Sequence, residues 1–222
     1  MIGKLNETEL HEDLKEHYRG ANGLVEQTVD GFIVDVVLPT EIVEIQTRSI
    51  GKLKRKLAKL SANHRVRLVH PIAASKYIDR VDGDGGTLSR RRSPKRGRIE
   101  DAFREISSIA DILPNPNITI EILLVEVTEL RIDDGRGSWR RKGVSIVGRR
   151  LDGIVERHEL RSAKDYLRLL PDDLPNPFTN RDLCDVAALR YTVAQPITNT
   201  LRKMGLISIA DKRGRELLYR RG

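Results

Sequence analysis

The stretch Phe32-Ile-Val-Asp35-Val-Val-Leu-Pro39-Thr40-Glu-Ile-Val-Glu44-Ile45-Gln46-Thr47-Arg48 constrains the fold most. Two β-branched runs meet at a Pro-Thr turn, the pattern of consecutive antiparallel strands. Each run carries an acid where a plain core strand carries none. Pairing the runs as a hairpin brings Asp35 and Glu44 near one another. An unpaired buried carboxylate costs several kcal/mol, so Asp35 needs a cation, a basic partner or solvent. Two carboxylates on a rigid sheet suit a hard divalent cation. A solvent-facing Asp35 on an edge strand is the plainer alternative.

The flanking pattern extends the architecture. Asn6 caps an expected helix running to about Tyr18, with Leu10, Leu14 and Tyr18 as its buried stripe. Glu7 and His11 lie on that stripe, so Glu7 can point toward the sheet carboxylates. Asp30-Gly31 is a hairpin signal between strands expected at about 25–29 and 32–38. A third strand spans about 42–47. A helix at about 50–62 carries Leu53, Leu57 and Leu60 inward, and a strand follows at 66–72. Along the third strand, Glu44, Gln46 and Arg48 share one face and Val43, Ile45 and Thr47 the other. The order is helix, three antiparallel strands, helix, strand.

Further on, Gly83–Gly97 reads as a punctuated basic loop, then a helix at about 99–113 and a strand at 118–131. Trp139-Arg-Arg-Lys142 sits in a polar segment before two short strands, and a helix follows Ser162. Residues 171–177 read as an acidic, proline-rich linker. The last segment gives a short capped helix, a helix ending at Gly205, and a hairpin whose tip is Asp211-Lys212-Arg213-Gly-Arg215.

Charge is segregated along the chain. Residues 1–44 hold three Lys or Arg against ten acids, or 3 − 10 = −7; residues 45–98 hold sixteen against three, or 16 − 3 = +13. With a net charge of +8 and a pI near 9.7, a polyanionic partner is favoured, nucleic acid before membrane. Lys52, Lys54, Arg55, Lys56 and Lys59 crowd one helix without acids at i±4, and like charges so spaced destabilise it. A solvated face is the bland reading; binding phosphate explains the cluster better. Arg90, Arg91 and Arg92 have the composition of an arm that orders on nucleic acid. Aromatics are only 4%, which disfavours base-stacking recognition of single strands. The single cysteine, Cys184, excludes a disulfide framework and cysteine-rich zinc ligation. No apolar run reaches the roughly 18 residues of a spanning helix, and the N-terminus lacks a signal-peptide hydrophobic region. A cytoplasmic protein is the expectation.

Asp35, the Glu44-Ile45-Gln46 run and the element order over about residues 5–78 together resemble the PD-(D/E)XK nuclease superfamily. The resemblance implies an α/β fold with a restriction-endonuclease-like core, a mixed sheet flanked by helices. It implies Mg²⁺ or Mn²⁺ held by Asp35, Glu44 and the carbonyl of Ile45, with help from Glu7. One departure matters: the family's usual lysine is Gln46 here, which can orient a water but supplies no charge. Arg48, Lys52 or Lys56 are candidates to supply it. The combination of Asn6-Glu7, Leu10-His11 and Glu44-Ile-Gln-Thr47 is also similar to a bacterial group without an assigned role.

Residues 160–222 resemble a winged helix-turn-helix. The resemblance implies that the second helix enters the DNA major groove, with Gln195, Thr198, Asn199 and Arg202 reading base edges. Lys212, Arg213 and Arg215 form the cationic wing tip. Such modules also dock proteins. The expectation is therefore a nuclease-like domain over 1–150 and a winged helix over 160–222, together a metal-dependent DNA nuclease. The alternatives are an inactive nuclease-like DNA-binding regulator and a protein-docking assembly factor. Homodimerisation stays open.

Overall fold

A computed structural model describes residues 8–222. Asn6 and Glu7 lie outside the described residues, so the cap and the helix acid expected there have no structural account. The chain forms an α/β fold around a seven-stranded mixed sheet flanked by helices.

Helix α1 (Thr8–Arg19) buries Leu10 and Leu14 and half-buries Tyr18, the expected stripe. Strands β1 (Leu24–Val29) and β2 (Phe32–Val37) form a hairpin whose turn residues Asp30 and Gly31 both have positive φ, 48° and 79°. Those angles match the right-handed twist of the strands and explain the Asp-Gly pair. β3 (Ile42–Ile45) pairs antiparallel with β2. A 3₁₀ turn over Ile50–Leu53 and helix α2 (Lys54–Leu60) carry the chain over the sheet to β4 (Val66–Val81), parallel to β3. Thus the order read from the sequence holds across residues 8–72.

Beyond that point the sheet is longer than expected. β4 runs to Val81. β5 (Thr87–Arg92), read from sequence as part of a basic loop, pairs antiparallel with β4. The loop expectation is corrected for a physical reason: β3 ends at Ile45 and leaves that edge of β4 open, so the Arg-rich segment fills it. Gly97 then returns the chain close to β4. Its amide donates to the Ala73 carbonyl at 2.9 Å, and a Cβ there would lie 2.7 Å from that oxygen.

The helix expected over 99–113 is broken into 3₁₀ turns around a short α3 (Phe103–Ile106). β6 (Ile118–Asp133) is parallel to β4 and antiparallel to β7 (Val144–Leu160), one long strand where two short ones were expected. The spatial order is β1-β2-β3-β4-β6-β7, with β5 beside the outer half of β4.

Each face of the sheet has its own core. α1 covers a cluster of Leu10, Leu14, Val36, Val43, Ile45, Val69 and the inner side chains of β6 from Leu123 to Val127. The opposite cluster joins Val34, Ile42, Leu57, Leu60 and Phe103 to the C-terminal elements as far as Tyr219.

Those elements are α4 (Ala163–Leu167), α5 (Asn180–Ala187), α6 (Tyr191–Lys203) and the hairpin β8 (Ile207–Arg213)–β9 (Glu216–Arg221). Ser162 and Thr179 each open a helix with a capping box, through Asp165 and Asp182. The segment read as a linker is packed: Leu174 is buried, and Phe178 bridges to Tyr219 on β9. Both expected domains thus share one apolar cluster. Cys184 is half-buried against it. Among the described residues no helix is long and apolar enough to cross a membrane.

Candidate functional site

Strand β2 changes sides at Asp35. Val34 belongs to the core under α2 and Val36 to the core under α1. Regular alternation would put both on one face. Opposite the switch, Glu26 on β1 has φ 52°, and the β1–β2 register omits the Glu26–Asp35 pair. Asp35 therefore lies between the two layers, within reach of both.

Asp35 also stands opposite Glu44 if the β2–β3 register, Val36 with Val43 and Val37 with Ile42, is continued by one pair. The ladder stops short of that pair. The amides of Ile42 and Gln46 donate toward β4, to Arg65 and Val69. The Ile45 amide therefore faces β2, and Asp35 Oδ2 accepts from it at 2.7 Å. In a strand the carbonyl of a residue lies on the same edge as its amide, so the Ile45 carbonyl also faces the Asp35 side.

Helices complete the arrangement. His11 Nε2 on α1 donates to Asp35 Oδ1 at 3.2 Å. From the other layer, Lys56 on α2 places its ammonium 2.6 Å from Glu44 Oε1 and donates to the Ile33 carbonyl at 2.6 Å. The Glu44 contact is an ion pair without hydrogen-bond alignment, so the buried Oε1 has no hydrogen-bond partner. Glu44 is only 2% exposed. Burial, reinforced by the Asp35 charge, pushes its pKa up to about 7 despite Lys56. For Asp35, burial also acts upward, but the His11 and Ile45 hydrogen bonds and Lys56 outweigh it and hold the carboxyl below its ordinary value. The two carboxylates thus respond oppositely to one neighbourhood.

Gln46 and Arg48 are not brought into this pair. The Gln46 side-chain amide donates to the Arg48 carbonyl, which ties it to its own chain. Arg48 is exposed. Lys56 on α2, expected chiefly to contact DNA, reaches Glu44 instead. Lys52, Arg55 and Lys59 remain exposed on the helix surface.

His70 on β4 is buried and donates from Nδ1 to the Gln46 carbonyl at 2.5 Å. Burial lowers its pKa, so it is a neutral imidazole. It lines a cleft of about 320 Å³ in which Lys76, Lys95, Arg104 and Arg149 outnumber the acids Asp101 and Glu105. Leu10 and Thr47, also in its walls, adjoin His11 and Gln46, so the cleft opens beside the carboxylate pair. His70 and His11 escaped sequence reasoning because an isolated histidine on a core stripe is usually structural; only the side switch at Asp35 reveals the second role.

The donor set suits a hard cation. It offers two carboxylates and a backbone carbonyl, with the Lys56 ammonium ion-paired to Glu44. Mg²⁺ binds through few protein ligands and keeps several waters. Among the described residues no group of three or more His, Cys, Asp or Glu is placed to hold a metal. Among the described residues, the candidate donors are Asp35, Glu44 and the Ile45 carbonyl.

The expected DNA-binding residues divide. Arg91 is exposed on β5, whereas Arg90 turns to the other face, 3.4 Å from Asp79 and over the Tyr77 ring. Arg92 is exposed. On α6, Gln195 and Arg202 are exposed and Asn199 half-buried. Thr198 is a correction: it is fully buried and donates to Asn180 Oδ1 at 2.7 Å, so it cannot read a base. Helix α6 is covered on more than one side, by α5 and by α3, and Thr198 falls beneath that cover. Lys212 and Arg215 are exposed at the hairpin; Arg213 is held by Asp182 at 2.6 Å.

The fold and site define a mixed α/β protein with a carboxylate pair at a strand junction and a cationic cleft beside it. Residues 8–161 match the family model described as "Domain of unknown function (DUF8091)", and the chain belongs to that family. A Treponema pallidum (strain Nichols) protein described as "Uncharacterized protein" is 33% identical over 224 residues, covering 99% of this chain and 87% of that protein. No solved structure matches.

Proposed function

We propose that this protein is a metal-dependent DNA nuclease that hydrolyses phosphodiester bonds with Mg²⁺ or Mn²⁺ at Asp35, Glu44 and the Ile45 carbonyl. The observation that carries this reading is that Asp35 and Glu44 come together at the β2–β3 junction, with the Lys56 ammonium 2.6 Å from Glu44. The β1–β2–β3–α2–β4 arrangement supports a nuclease-like core, and the α5–α6–β8–β9 order supports a winged helix-turn-helix. When bound, the cation supplies Lewis acidity toward a phosphate oxygen and lowers the pKa of water.

The chain's own groups take the remaining roles. His11 and the Ile45 amide hold Asp35 ionised and oriented. Burial beside Asp35 leaves Glu44 short of positive charge, which a bound cation would supply. Lys56 neutralises negative charge that builds on the phosphate, the task Gln46 cannot perform. Gln195 and Arg202, with the half-buried Asn199 between them, form the stripe of α6 that contacts DNA.

Plasmid cleavage with Mg²⁺ or Mn²⁺ tests the reading. Asp35→Ala and Glu44→Ala should abolish cleavage, and Lys56→Ala should slow it by about 100-fold or more, the scale of losing one preorganised charge. Absence of cleavage of supercoiled, linear and single-stranded DNA with either cation would overturn it. A second reading, a DNA-binding regulator without activity, is favoured by one observation: Lys56 already sits where it balances Glu44. That reading predicts salt-dependent DNA binding and no cation-induced change in stability.

A further inference from the structure

The strongest unused feature lies on the α1 side of the sheet, along its outer half. Along β6, Val125 and Val127 line the first cleft. Glu129 and Arg131 follow at i+2 and i+4 on the same strand face. Arg131 lines a second cleft of about 400 Å³ with Arg80, Arg91, Arg140 and Arg141, and no acid lines that cleft.

Glu129 joins the two. It is fully buried and accepts from Lys76 at 3.0 Å, Arg131 at 2.6 Å and Arg149 at 3.1 Å. Lys76 and Arg149 line the first cleft and Arg131 the second. One carboxylate against three cations leaves a surplus of positive charge between the clefts. Burial acts to raise the Glu129 pKa, but the three cations bring it down to about 2. The carboxylate is therefore ionised at every physiological pH and fixes the cations in place. Arg80 has an exposed partner, Asp133, at 3.4 Å, a pair worth little. Arg140 lies over the ring of Trp139, which is 83% exposed.

We infer that these two clefts and the Glu129 bridge form one cationic trough that binds the sugar–phosphate backbone of duplex DNA and leads it to the Asp35–Glu44 end of the sheet. Val125 to Arg131 spans about 20 Å at the rise of a strand, or about six nucleotides along one strand of B-DNA. Backbone contact is favoured over base stacking because, among the described residues, Trp139 is the one exposed aromatic side chain beside these arginines. The surface differs from the arm read in the sequence: Arg91 belongs to it, while Arg90 faces the opposite side beside Asp79. The inference names a partner surface for the proposed nuclease site and rests on that reading for its direction along the sheet.

Binding and cleavage separate in the test. Full-length protein is titrated into a fluorescein-labelled 20-base-pair duplex in EDTA at several salt concentrations, read by anisotropy. The triple variant R80A/R91A/R140A should bind at least tenfold more weakly at 0.1 M salt. Its log–log salt slope should fall by about 2.7, the loss of three phosphate contacts. A control with equal charge loss elsewhere, R65A/K164A/R168A, should bind within about twofold of the parent. Matching thermal melts for both variants show that folding is unchanged. Equal weakening in the control, or parental binding by the trough variant, would overturn the trough. Cleavage plays no part in this readout, so a trough that binds can stand even if the nuclease reading falls.

Discussion

Two glutamates, Glu44 on β3 and Glu129 on β6, are buried in one sheet, yet their surroundings push them in opposite directions. Glu44 has one lysine beside it and an aspartate opposite, and its pKa rises to about 7. Glu129 has Lys76, Arg131 and Arg149 around it, and its pKa falls to about 2. From the ordinary value of 4.5, each shift is worth about 3 kcal/mol, with opposite sign. Burial is common to both, so the count and sign of neighbouring charges decide the outcome. Glu129 is saturated with cations and holds the outer sheet together. Glu44 is short of positive charge and has room for more.

Removing Glu129 should have the largest effect. Glu129→Ala leaves three cations facing one another and should cost about 3–5 kcal/mol in urea unfolding at pH 7. Because the folded pKa is depressed, the wild-type contribution is present above about pH 4.5 and disappears as pH falls through about 2. The variant should therefore converge with wild type in acid. A cost that stays constant down to pH 2 would show packing rather than charge at this position.

Glu44 should show the reverse. Its folded pKa is raised, so the fold binds the extra proton and is favoured in acid; stability falls as pH climbs from about 4.5 through 7. Wild type should lose up to about 3 kcal/mol between pH 5 and 8 from this group. Glu44→Gln should flatten that part of the profile. Millimolar Mg²⁺ or Mn²⁺ should restore stability in wild type at pH 8, and far less at pH 5, where the proton competes. No thermal shift with either cation at pH 8 would remove the cation site.

Much of this contrast was legible in the sequence at one end and hidden at the other. Asp30-Gly31, the Pro39-Thr40 turn and the Leu57/Leu60 spacing mark the inner strands, so the opposition of Asp35 and Glu44 follows from local signals. Lys56 was visible as a charge, but its reach to Glu44 depends on where α2 crosses the sheet. The side switch at Asp35 was hidden because strict alternation assumes a regular strand. Glu129 was hidden because its partners come from β4, β6 and β7, brought together by long-range register. The Arg-rich β5 reads as a loop from composition, since the open edge of β4 that recruits it is a tertiary fact. Thr198 fails for the same reason: its helical face is outward by period but covered by neighbouring elements.

The smaller effects come from the groups that surround the carboxylate pair. Lys56→Met should cost about 1–2 kcal/mol at pH 8, where it leaves Glu44 buried without its counterion. At pH 5 the cost should nearly vanish, because Glu44 is already protonated. His11→Ala should cost less, about 0.5–1 kcal/mol at neutral pH, since the Asp35 carboxylate keeps the Ile45 amide and some solvent. Asp35 is held below its ordinary pKa, so its contribution is present above about pH 3.8 and lost in stronger acid; His11→Ala should shift that loss to higher pH. Chemical denaturation of both variants between pH 2 and 8 separates them: the His11 profile parts from wild type as pH rises past about 3.8, where Asp35 ionises, and the Lys56 profile only as pH rises through about 7, where Glu44 ionises. Profiles that part from wild type in the same pH window would mean that Asp35 and Glu44 titrate as one unit rather than as two carboxylates set apart by their partners.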